Sequence, residues 1–348
     1  MNSKIQQSGR DKLLDIAKGI GIILVILGHS IQFGSGSKYI GENLFFNNIY
    51  FIIIYSFHMT LFCTISGYLF SRSVQHHSDW NIIYNKFRRL VIPIFFWSLL
   101  YTLWLLFIDV TRHGLQLSII SVIKKFVYIL FSSQWFLWAI FFFSIIVIVV
   151  RRFLNDSFWA YLILYVVLLF VEIKGKDYNF NAYVSNFPAF IIAYEYGKYC
   201  KKEDGESALE CNRIMIVISA IVYVILLVCK LMGYDRDFSV AGCRIFYFCL
   251  GISGTVTFLW ILYKLYYIKI DSRLWVLLER LGTDTLGLYI VAGYLDIELL
   301  QRITKAFLPS FILNLMESFV IIITSIYFIK LIRKNSILKM LLLGEFKD

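Results

Sequence analysis

Two ionisable side chains lie on one apolar segment near the start of the chain, within the run DIAKGIGIILVILGHS at residues 15–30. They are Lys18 and His29, eleven residues apart, and about 100° per residue places both on one helix face, roughly 16 Å apart along the axis. Gly21 and Gly28 share another face, which allows close approach of a helix or a ligand. Ionisable groups inside a membrane helix are costly and typical of functional sites. We therefore predict that His29 is the chemical centre; a structural histidine is the alternative.

A second histidine and a tryptophan are predicted at the depth of His29. If the helices are straight, His58 and Trp135 lie roughly 20 and 22 Å from the predicted cytoplasmic ends of their respective helices. Both side chains are suited to holding a polar molecule, and an imidazole can also take a proton. Helix packing with a satisfied hydrogen bond is an equally good interpretation of both, and Tyr289 is interpreted as a packing residue.

Four cations are predicted to gather at one mouth of the helices. Lysine and arginine pair with phosphate oxygens through charge-assisted hydrogen bonds, so this cluster suits a phosphate-bearing ligand. Control of membrane topology is the simpler alternative, and composition alone favours it. Glu195 is predicted at the same depth and is expected to pair with Lys18. The cluster consists of Lys18, Lys86, Arg88 and Arg89.

The composition is that of a membrane protein. The chain has 348 residues, of which 59% are hydrophobic and 18% aromatic, and its mean hydropathy is +0.72. Several apolar runs exceed the roughly 17 residues that a spanning helix requires. The predicted fold class is therefore all-α: a polytopic integral membrane protein with a single transmembrane domain over residues 1–348. The ten predicted spans are 14–33, 45–71, 89–110, 134–150, 158–173, 184–200, 214–232, 242–264, 281–298 and 310–332.

The distribution of lysine and arginine predicts the orientation. With the N-terminus inside, the inner loops carry roughly twice as many of these residues as the outer loops, so both termini are predicted to be cytoplasmic. The same rule explains the net charge of +11 without a nucleic-acid partner, and it predicts a multi-pass protein of the cell (inner, cytoplasmic) membrane. Residues 115–130 and 336–346 are predicted to be amphipathic helices at the outer and inner surfaces. Membrane lipids are expected partners, and a homo-oligomer is compatible with the sequence.

The six cysteines have no metal-binding spacing, so neither a metal site nor a bound cofactor is predicted. Cys229 and Cys243 fall near the same predicted surface, which allows a disulfide, but small buried apolar roles are favoured for the cysteines. His76, His77 and His113 are predicted to lie in solvated loops.

Five segments resemble the membrane-bound acyltransferase-3 family, which includes cell-surface polysaccharide O-acetyltransferases. The first span is similar to the opening motif of the family, a basic residue followed after ten others by histidine, here Lys18 and His29. The resemblance extends over most of the chain in the family's order. The other four segments are FHMTLFCTISGYLF (Phe57–Phe70), KFRRLVIP (Lys86–Pro93), QWFLWAI (Gln134–Ile140) and LGTDTLGLYIV (Leu281–Val291).

The chain departs from the family pattern at three positions. Lys18 stands where arginine is common, which keeps the charge but loses the bidentate geometry. Thr60 replaces a proline of the second segment, and Ala292 replaces the histidine that often closes the last segment, so the role of that histidine is not carried over. The soluble hydrolase-like domain that is fused to some relatives is not expected here.

The resemblance implies transfer of an acyl group, most often acetyl, from cytosolic acetyl-CoA as co-substrate to a hydroxyl of a cell-surface glycan or its lipid-linked precursor. The CoA phosphates would lie on the cluster of four cations, and the thioester would approach His29. That histidine would act as general base for direct attack on the thioester, with a transient acetyl-histidine as the competing route. His58 or Trp135 would contact the oxyanion or the acceptor sugar.

Two functions of other classes fit the same residues. A transporter or flippase for a lipid-linked or anionic molecule would use the basic mouth and the buried histidine, and a membrane sensor would use neither for chemistry. Transfer of label from acetyl-CoA to membrane glycans would distinguish the enzyme from both.

Overall fold

The computed structural model describes residues 11–33, 37–113, 118–174, 180–199, 213–268, 272–295 and 311–346, and the regular structure within these ranges is helical. The all-α fold class is therefore confirmed. Two short 3₁₀ helices, Leu44–Asn47 and Tyr234–Asp237, and one π turn, Phe87–Val91, accompany the α-helices. In chain order the α-helices are α1 (Lys12–Phe33), α2 (Ser37–Gly41), α3 (Ile49–Tyr55), α4 (His58–His76), α5 (Asp79–Lys86), α6 (Ile92–His113), α7 (Ile119–Ser132), α8 (Trp135–Phe153), α9 (Phe158–Lys174), α10 (Phe180–Tyr199), α11 (Arg213–Leu231), α12 (Val240–Tyr267), α13 (Ser272–Thr283), α14 (Thr285–Leu295), α15 (Phe311–Arg333) and α16 (Ser336–Leu343).

Seven helical stretches within the described ranges are long and apolar enough to cross a membrane. They coincide with seven of the ten predicted spans, and they support a multi-pass membrane protein. The helices at the three remaining positions are α9, α10 and α14. The total of ten spans and the cytoplasmic side of both termini remain predictions. The seven stretches are Lys12–Phe33, Ile49–His76, Asp79–Thr111, Trp135–Phe153, Ile214–Leu231, Val240–Tyr267 and Phe311–Arg333.

Helix α1 lies at the centre of the bundle, where its neighbours include α3, α4, α12, α13, α14 and α15. The contact with α13 is close because two glycines face each other where the helices cross. A Cβ atom on Gly19 would collide with the Leu278 carbonyl, and one on Gly282 would collide with the Asp15 carbonyl. This backbone contact places the first turns of α1 beside the junction of α13 and α14.

The other two glycines singled out in α1 accommodate aromatic rings from the next helices. Gly21 lies against the ring of Phe62, and a Cβ atom there would meet that ring at 2.9 Å. Gly28 lies against the ring of Tyr55, with a corresponding distance of 2.7 Å. The predicted use of these glycines for close approach is therefore confirmed.

The second predicted span is broken, and the prediction of one straight helix over residues 45–71 is wrong. Helix α3 ends at Tyr55, and α4 begins at His58. The Nδ1 atom of His58 lies 2.7 Å from the Ile54 carbonyl oxygen. The histidine side chain therefore bridges the break and supplies a hydrogen bond to the backbone of the preceding helix.

A π turn leads from α5 into α6 and contains two arginines of the basic cluster. Within Phe87–Val91 the backbone hydrogen bonds join residues five apart instead of four; for example, the Ile92 N–H donates to the Phe87 carbonyl. Pro93 has no N–H to offer the Arg89 carbonyl, so a regular α-helix cannot continue its hydrogen bonds through this point. Proline is thus the local reason for the wider turn.

The C-terminal helix α16 folds back against this π turn. Trp97 Nε1 donates to the Leu342 carbonyl at 2.9 Å, and the guanidinium carbon of Arg88 lies 3.8 Å from the centre of the Phe346 ring. The helix ends at Gly344, whose φ of 64° lies in the left-handed region typical of a helix C-terminus. The predicted C-terminal helix is confirmed, and its position at a membrane surface remains a prediction.

Helix α7 corresponds to the amphipathic segment predicted over residues 115–130. It packs against α6, where Lys125 Nζ lies 2.5 Å from Asp109 Oδ2. The helix is therefore present, and its location at the outer surface remains a prediction.

The expected ion pair between Lys18 and Glu195 is wrong. Lys18 Nζ lies 2.6 Å from Asp15 Oδ1, and Glu195 Oε1 lies 2.7 Å from Lys198 Nζ. In both pairs the partner is three residues away on the same helix, a spacing at which side chains meet on the helix surface.

The disulfide that the sequence allows between Cys229 and Cys243 is not formed, because both cysteines are free. The Cys243 sulfur instead lies 3.4 Å from the Asp235 carbonyl oxygen, to which it can donate. Cys200 and Cys211 lie outside the described residues.

Candidate active site

A cavity of about 490 Å³, here called the first cavity, lies beside the first turns of α1. Its lining belongs mainly to the five segments singled out in the sequence. Only Ser73, His77, Ile82 and Asn85 come from elsewhere among the described residues. The five segments thus fold around one space. They contribute Lys18, Val25, Met59, Phe62, Ser66, Lys86, Arg89, Leu90, Phe136, Leu137, Ile140, Gly282, Thr283, Thr285, Leu286 and Tyr289.

Three of the four predicted cations line the first cavity: Lys18, Lys86 and Arg89. Lys18 is paired with Asp15, so only part of its charge is available to a ligand. Arg88 is not among the lining residues, and its guanidinium lies over two aromatic rings instead. The structure therefore brings three cations of the predicted cluster together and separates the fourth from them.

The inner part of the first cavity is apolar and aromatic. The Phe136 ring lies between the ring of Phe62, at 5.8 Å, and the ring of Tyr289, at 5.7 Å. A cationic mouth that leads to an apolar interior suits a molecule with phosphates at one end and a slender chain at the other.

His29 is not among the described residues that line the first or the second of the two cavities described in this section. Its ring packs on Phe33, with the ring centroids 5.7 Å apart. The imidazoles of His29 and His58 are close enough to interact electrostatically. Two histidines that are far apart in the sequence thus lie in one layer of the bundle.

The hydrogen bond at His58 determines which ring nitrogen carries its proton. The ring is 1% exposed, and Nδ1 must donate because its partner, the Ile54 carbonyl oxygen, can only accept. In the neutral ring Nε2 is therefore unprotonated, so it accepts a hydrogen bond or a proton and cannot donate to an oxyanion. The edge of the Tyr55 ring meets the same imidazole, with the ring centroids 4.5 Å apart.

A second cavity of about 460 Å³ lies on the other side of this layer. Met59 lines both cavities, so its side chain is part of the partition between them. Trp135, predicted at the depth of His29, opens α8 and lines the second cavity. The described lining of the second cavity is Phe46, Phe51, Ile52, Tyr55, Ser56, Met59, Thr60, Trp135, Asn181, Ala182, Ser185, Asn186, Lys230, Arg244, Tyr247 and Leu250.

A protein-family model described as an acyltransferase domain matches residues 11–333, nearly the whole chain. The chain belongs to the acyltransferase-3 family. The resemblance carried by the five segments is therefore confirmed. No solved structure matches this chain significantly.

Two nodulation proteins named NolL are similar to part of this chain. The protein from Mesorhizobium japonicum is 34% identical over 154 residues, which are 44% of this chain and 39% of the relative. The protein from Sinorhizobium fredii is 35% identical over 133 residues, which are 38% of this chain and 34% of the relative. The matched part thus spans well under half the length of either relative.

Tyr289 and His77 also line the first cavity, which the sequence does not predict. Tyr289 packs on Phe136 and His77 is exposed in the turn after α4, as predicted. The signal for Tyr289 is its place in the segment LGTDTLGLYIV, which matches the family. His77 directly follows α4, and its place depends on the turn that leads into α5. No spacing in the sequence indicates the direction of that turn.

Proposed function

We propose that this acyltransferase transfers an acetyl group from cytosolic acetyl-CoA to a hydroxyl of a saccharide in the cell envelope. The observation that carries the proposal is the first cavity, whose lining combines three cations with apolar and aromatic side chains of the five segments. Family membership supports the class of reaction, and the geometry supports the choice of donor.

The donor is proposed to enter from the basic mouth. Lys18, Lys86 and Arg89 pair with phosphates of CoA, and Arg89 offers two parallel N–H donors for a phosphate. The slender pantetheine arm extends along the apolar wall toward Met59. Lys18 and His29 are roughly 16 Å apart along α1. The extended pantetheine arm is proposed to span this distance, from the phosphates near Lys18 to the thioester near His29.

The chemistry follows from the two neutral imidazoles. His29 takes the proton of the acceptor hydroxyl while its oxygen attacks the thioester carbonyl, which forms the new ester bond. The tetrahedral oxyanion then collapses, the carbon–sulfur bond breaks, and the CoA thiolate recovers the proton from the imidazolium. In the competing route, an imidazole attacks first and the acetyl group rests on nitrogen before the hydroxyl takes it.

His58 is proposed to accept a hydrogen bond from another hydroxyl of the acceptor, adjacent to the one that reacts, because its Nδ1 proton is committed to Ile54. An oxyanion needs a donor, and the Tyr289 hydroxyl in the first cavity is suited to that role. Trp135 is proposed to contact the acceptor sugar from the second cavity.

The test uses the purified protein in lipid nanodiscs, labelled acetyl-CoA and a membrane glycan fraction. We expect label on the glycan, its loss in His29→Ala, and unchanged transfer in His76→Ala, whose side chain is exposed on α4. For the donor, Arg89→Gln is expected to raise the KM for acetyl-CoA about tenfold through loss of a charge-assisted pair. Arg88→Gln is the matched change outside the cavity and is expected to have the smaller effect. Movement of a glycan across the membrane without label would instead indicate a transporter.

A further inference from the structure

The second cavity has an unusual distribution of charge. The charged side chains among its described lining residues are Lys230 and Arg244, and no carboxylate belongs to that lining. Their ion-pair partners lie behind them: Asp235 and Glu172 are 7% and 8% exposed, against 25% for Lys230 and 17% for Arg244. Each ion pair is therefore a dipole whose positive end faces the cavity.

Both cations keep N–H donors for a ligand. Arg244 uses Nε and Nη2, which both lie 2.6 Å from Glu172 Oε1, and no hydrogen bond of its Nη1 group is found within the described part of the chain. Lys230 donates to Asp235 Oδ2 and to the Tyr247 hydroxyl, each at 2.6 Å, and an ammonium group has a third proton.

The charged state of the Asp235 carboxyl, which pairs with Lys230, is stable at neutral pH. Burial raises the pKa of the Asp235 carboxyl, but hydrogen bonds from Lys230 and Tyr247 outweigh it, so the pKa lies below its usual value. The carboxylate therefore stays ionised and holds the ammonium group at the cavity wall. The two cations are thus fixed features of this surface.

The rest of the second cavity is typical of a sugar site. The rings of Tyr55 and Trp135 provide apolar faces, and the side chains of Asn181 and Asn186 provide amide groups. Asn186 is oriented by two hydrogen bonds, one from its Nδ2 to the Ala182 carbonyl at 2.9 Å and one from the Thr60 hydroxyl at 3.3 Å. Thr60 stands where the family pattern has proline, and proline has no hydroxyl group. The hydrogen bond from Thr60 to Asn186 is therefore a departure of this chain from the family pattern.

We propose that the second cavity binds the acceptor and that the acceptor is an acidic saccharide. Its carboxylate or phosphate pairs with Arg244 and Lys230, its ring packs on Trp135 and Tyr55, and the hydroxyl to be modified points toward Met59. The orientation of the acceptor hydroxyl toward Met59 rests on the proposed acetyl transfer. The binding of an acidic saccharide in the second cavity does not depend on that proposal.

The test measures binding and transfer separately, with protein in nanodiscs. The probes are an oligosaccharide ending in glucuronate, the same oligosaccharide ending in glucose, and the glucose form linked to a polyprenyl diphosphate. The variant is the double change Arg244→Gln with Glu172→Gln, because Arg244→Gln alone would leave a carboxylate buried without its partner. Arg236→Gln is the control, since Arg236 is exposed near the same end and does not line the cavity.

We expect the wild type to bind an acidic probe about tenfold more tightly than the neutral one, as one charge-assisted pair predicts. The double variant should lose this preference and the control should keep it. The glucuronate and diphosphate probes distinguish a carboxylate from a phosphate as the acidic group. Equal binding of acidic and neutral probes by the wild type overturns the inference, even if acetyl transfer is observed. Selective binding without transfer to any probe supports the inference and contradicts the proposed acetyl transfer.

Discussion

Gly344 lies directly against the backbone of Arg89. A Cβ atom on Gly344 would come within 2.5 Å of the Arg89 carbonyl oxygen, and the φ of 64° at Gly344 favours glycine in its own right. Pro93 leaves that carbonyl without its usual helical partner, so the C-terminal segment covers it. This segment follows residue 333, where the family match ends, and it supports the turn that carries Lys86 and Arg89 into the first cavity.

Replacement of Gly344 by alanine is expected to move the C-terminal segment away from Arg89. We expect the KM for acetyl-CoA to rise about three- to tenfold, equivalent to the roughly 1 kcal/mol that a left-handed conformation costs a residue with a side chain. The KM for the acceptor should be unchanged. Gly41→Ala is the control, because a Cβ atom there meets nothing within 4 Å. Equal effects of both changes on the donor KM would contradict the role of the segment.

His58 is expected to have a structural function and a chemical function that can be separated. Its Nδ1 donates to Ile54 across the break between α3 and α4. His58→Ala removes this bond and should lower the free energy of unfolding by about 1–3 kcal/mol. His58→Asn keeps a donor near the Nδ1 position, so it should restore stability while acetyl transfer stays low. Thermal unfolding and transfer rate measure the two effects, and full activity of the asparagine variant would exclude the chemical function.

Tyr289→Phe tests whether the tyrosine hydroxyl stabilises the oxyanion. The ring contacts with Phe136 are retained, and only the hydroxyl group in the first cavity is lost. We expect kcat to fall about 10²-fold, typical of the loss of one oxyanion donor, with little change in the KM for acetyl-CoA. A rise in KM at constant kcat would show that the hydroxyl binds the donor in its ground state.

Met59→Ala is expected to join the two cavities. Met59 lines both of them, so a smaller side chain admits water from the second cavity to the thioester. Acetyl-CoA hydrolysis in the absence of acceptor should therefore rise, and transfer per thioester consumed should fall. Met215→Ala is the control, because that side chain is 67% exposed on another part of the bundle. Release of free CoA thiol without acceptor is the measurement, and equal release by both variants would contradict the partition.

Gly282→Ala is expected to destabilise the crossing of α1 and α13. The added methyl group would collide with the Asp15 carbonyl, which belongs to backbone and cannot rotate away. The cost should be about 1–3 kcal/mol, as for overpacking elsewhere. Gly293→Ala is the matched change, because a Cβ atom there meets only Gln134 Nε2, at 3.7 Å. Thermal unfolding in detergent compares the two variants.

Sequence spacing was informative where the helices are regular. The eleven-residue spacing predicts that Lys18 and His29 share one face of the first helix; Lys18 lines the first cavity, whereas His29 is absent from the described lining of both cavities. The separation of Arg88 from Lys86 and Arg89 also follows from spacing, since residues three apart share a helix face and the two residues between them point elsewhere.

Other features depend on interruptions that periodicity does not reveal. The break at Ser56 and Phe57 divides the second span into α3 and α4, and the His58 side chain bonds back to Ile54 across it. The π turn depends on Pro93 together with the packing of a distant C-terminal helix. Lys18 pairs with Asp15, and Glu195 pairs with Lys198, each within one helix. These local pairs replace the predicted pair between Lys18 and Glu195. Such outcomes follow from tertiary contacts, which a single sequence does not specify.

The position of Met59 between two open cavities has an electrical consequence. Solvent that enters both cavities leaves a thin layer of protein, so the transmembrane voltage falls steeply across the residues around Met59 instead of over the full thickness of the bilayer. A proton or charged intermediate that crosses this layer experiences most of that voltage, about 2.3 kcal/mol per 100 mV. We therefore expect turnover in sealed vesicles to change when the membrane is energised, although no ion is transported in the overall reaction.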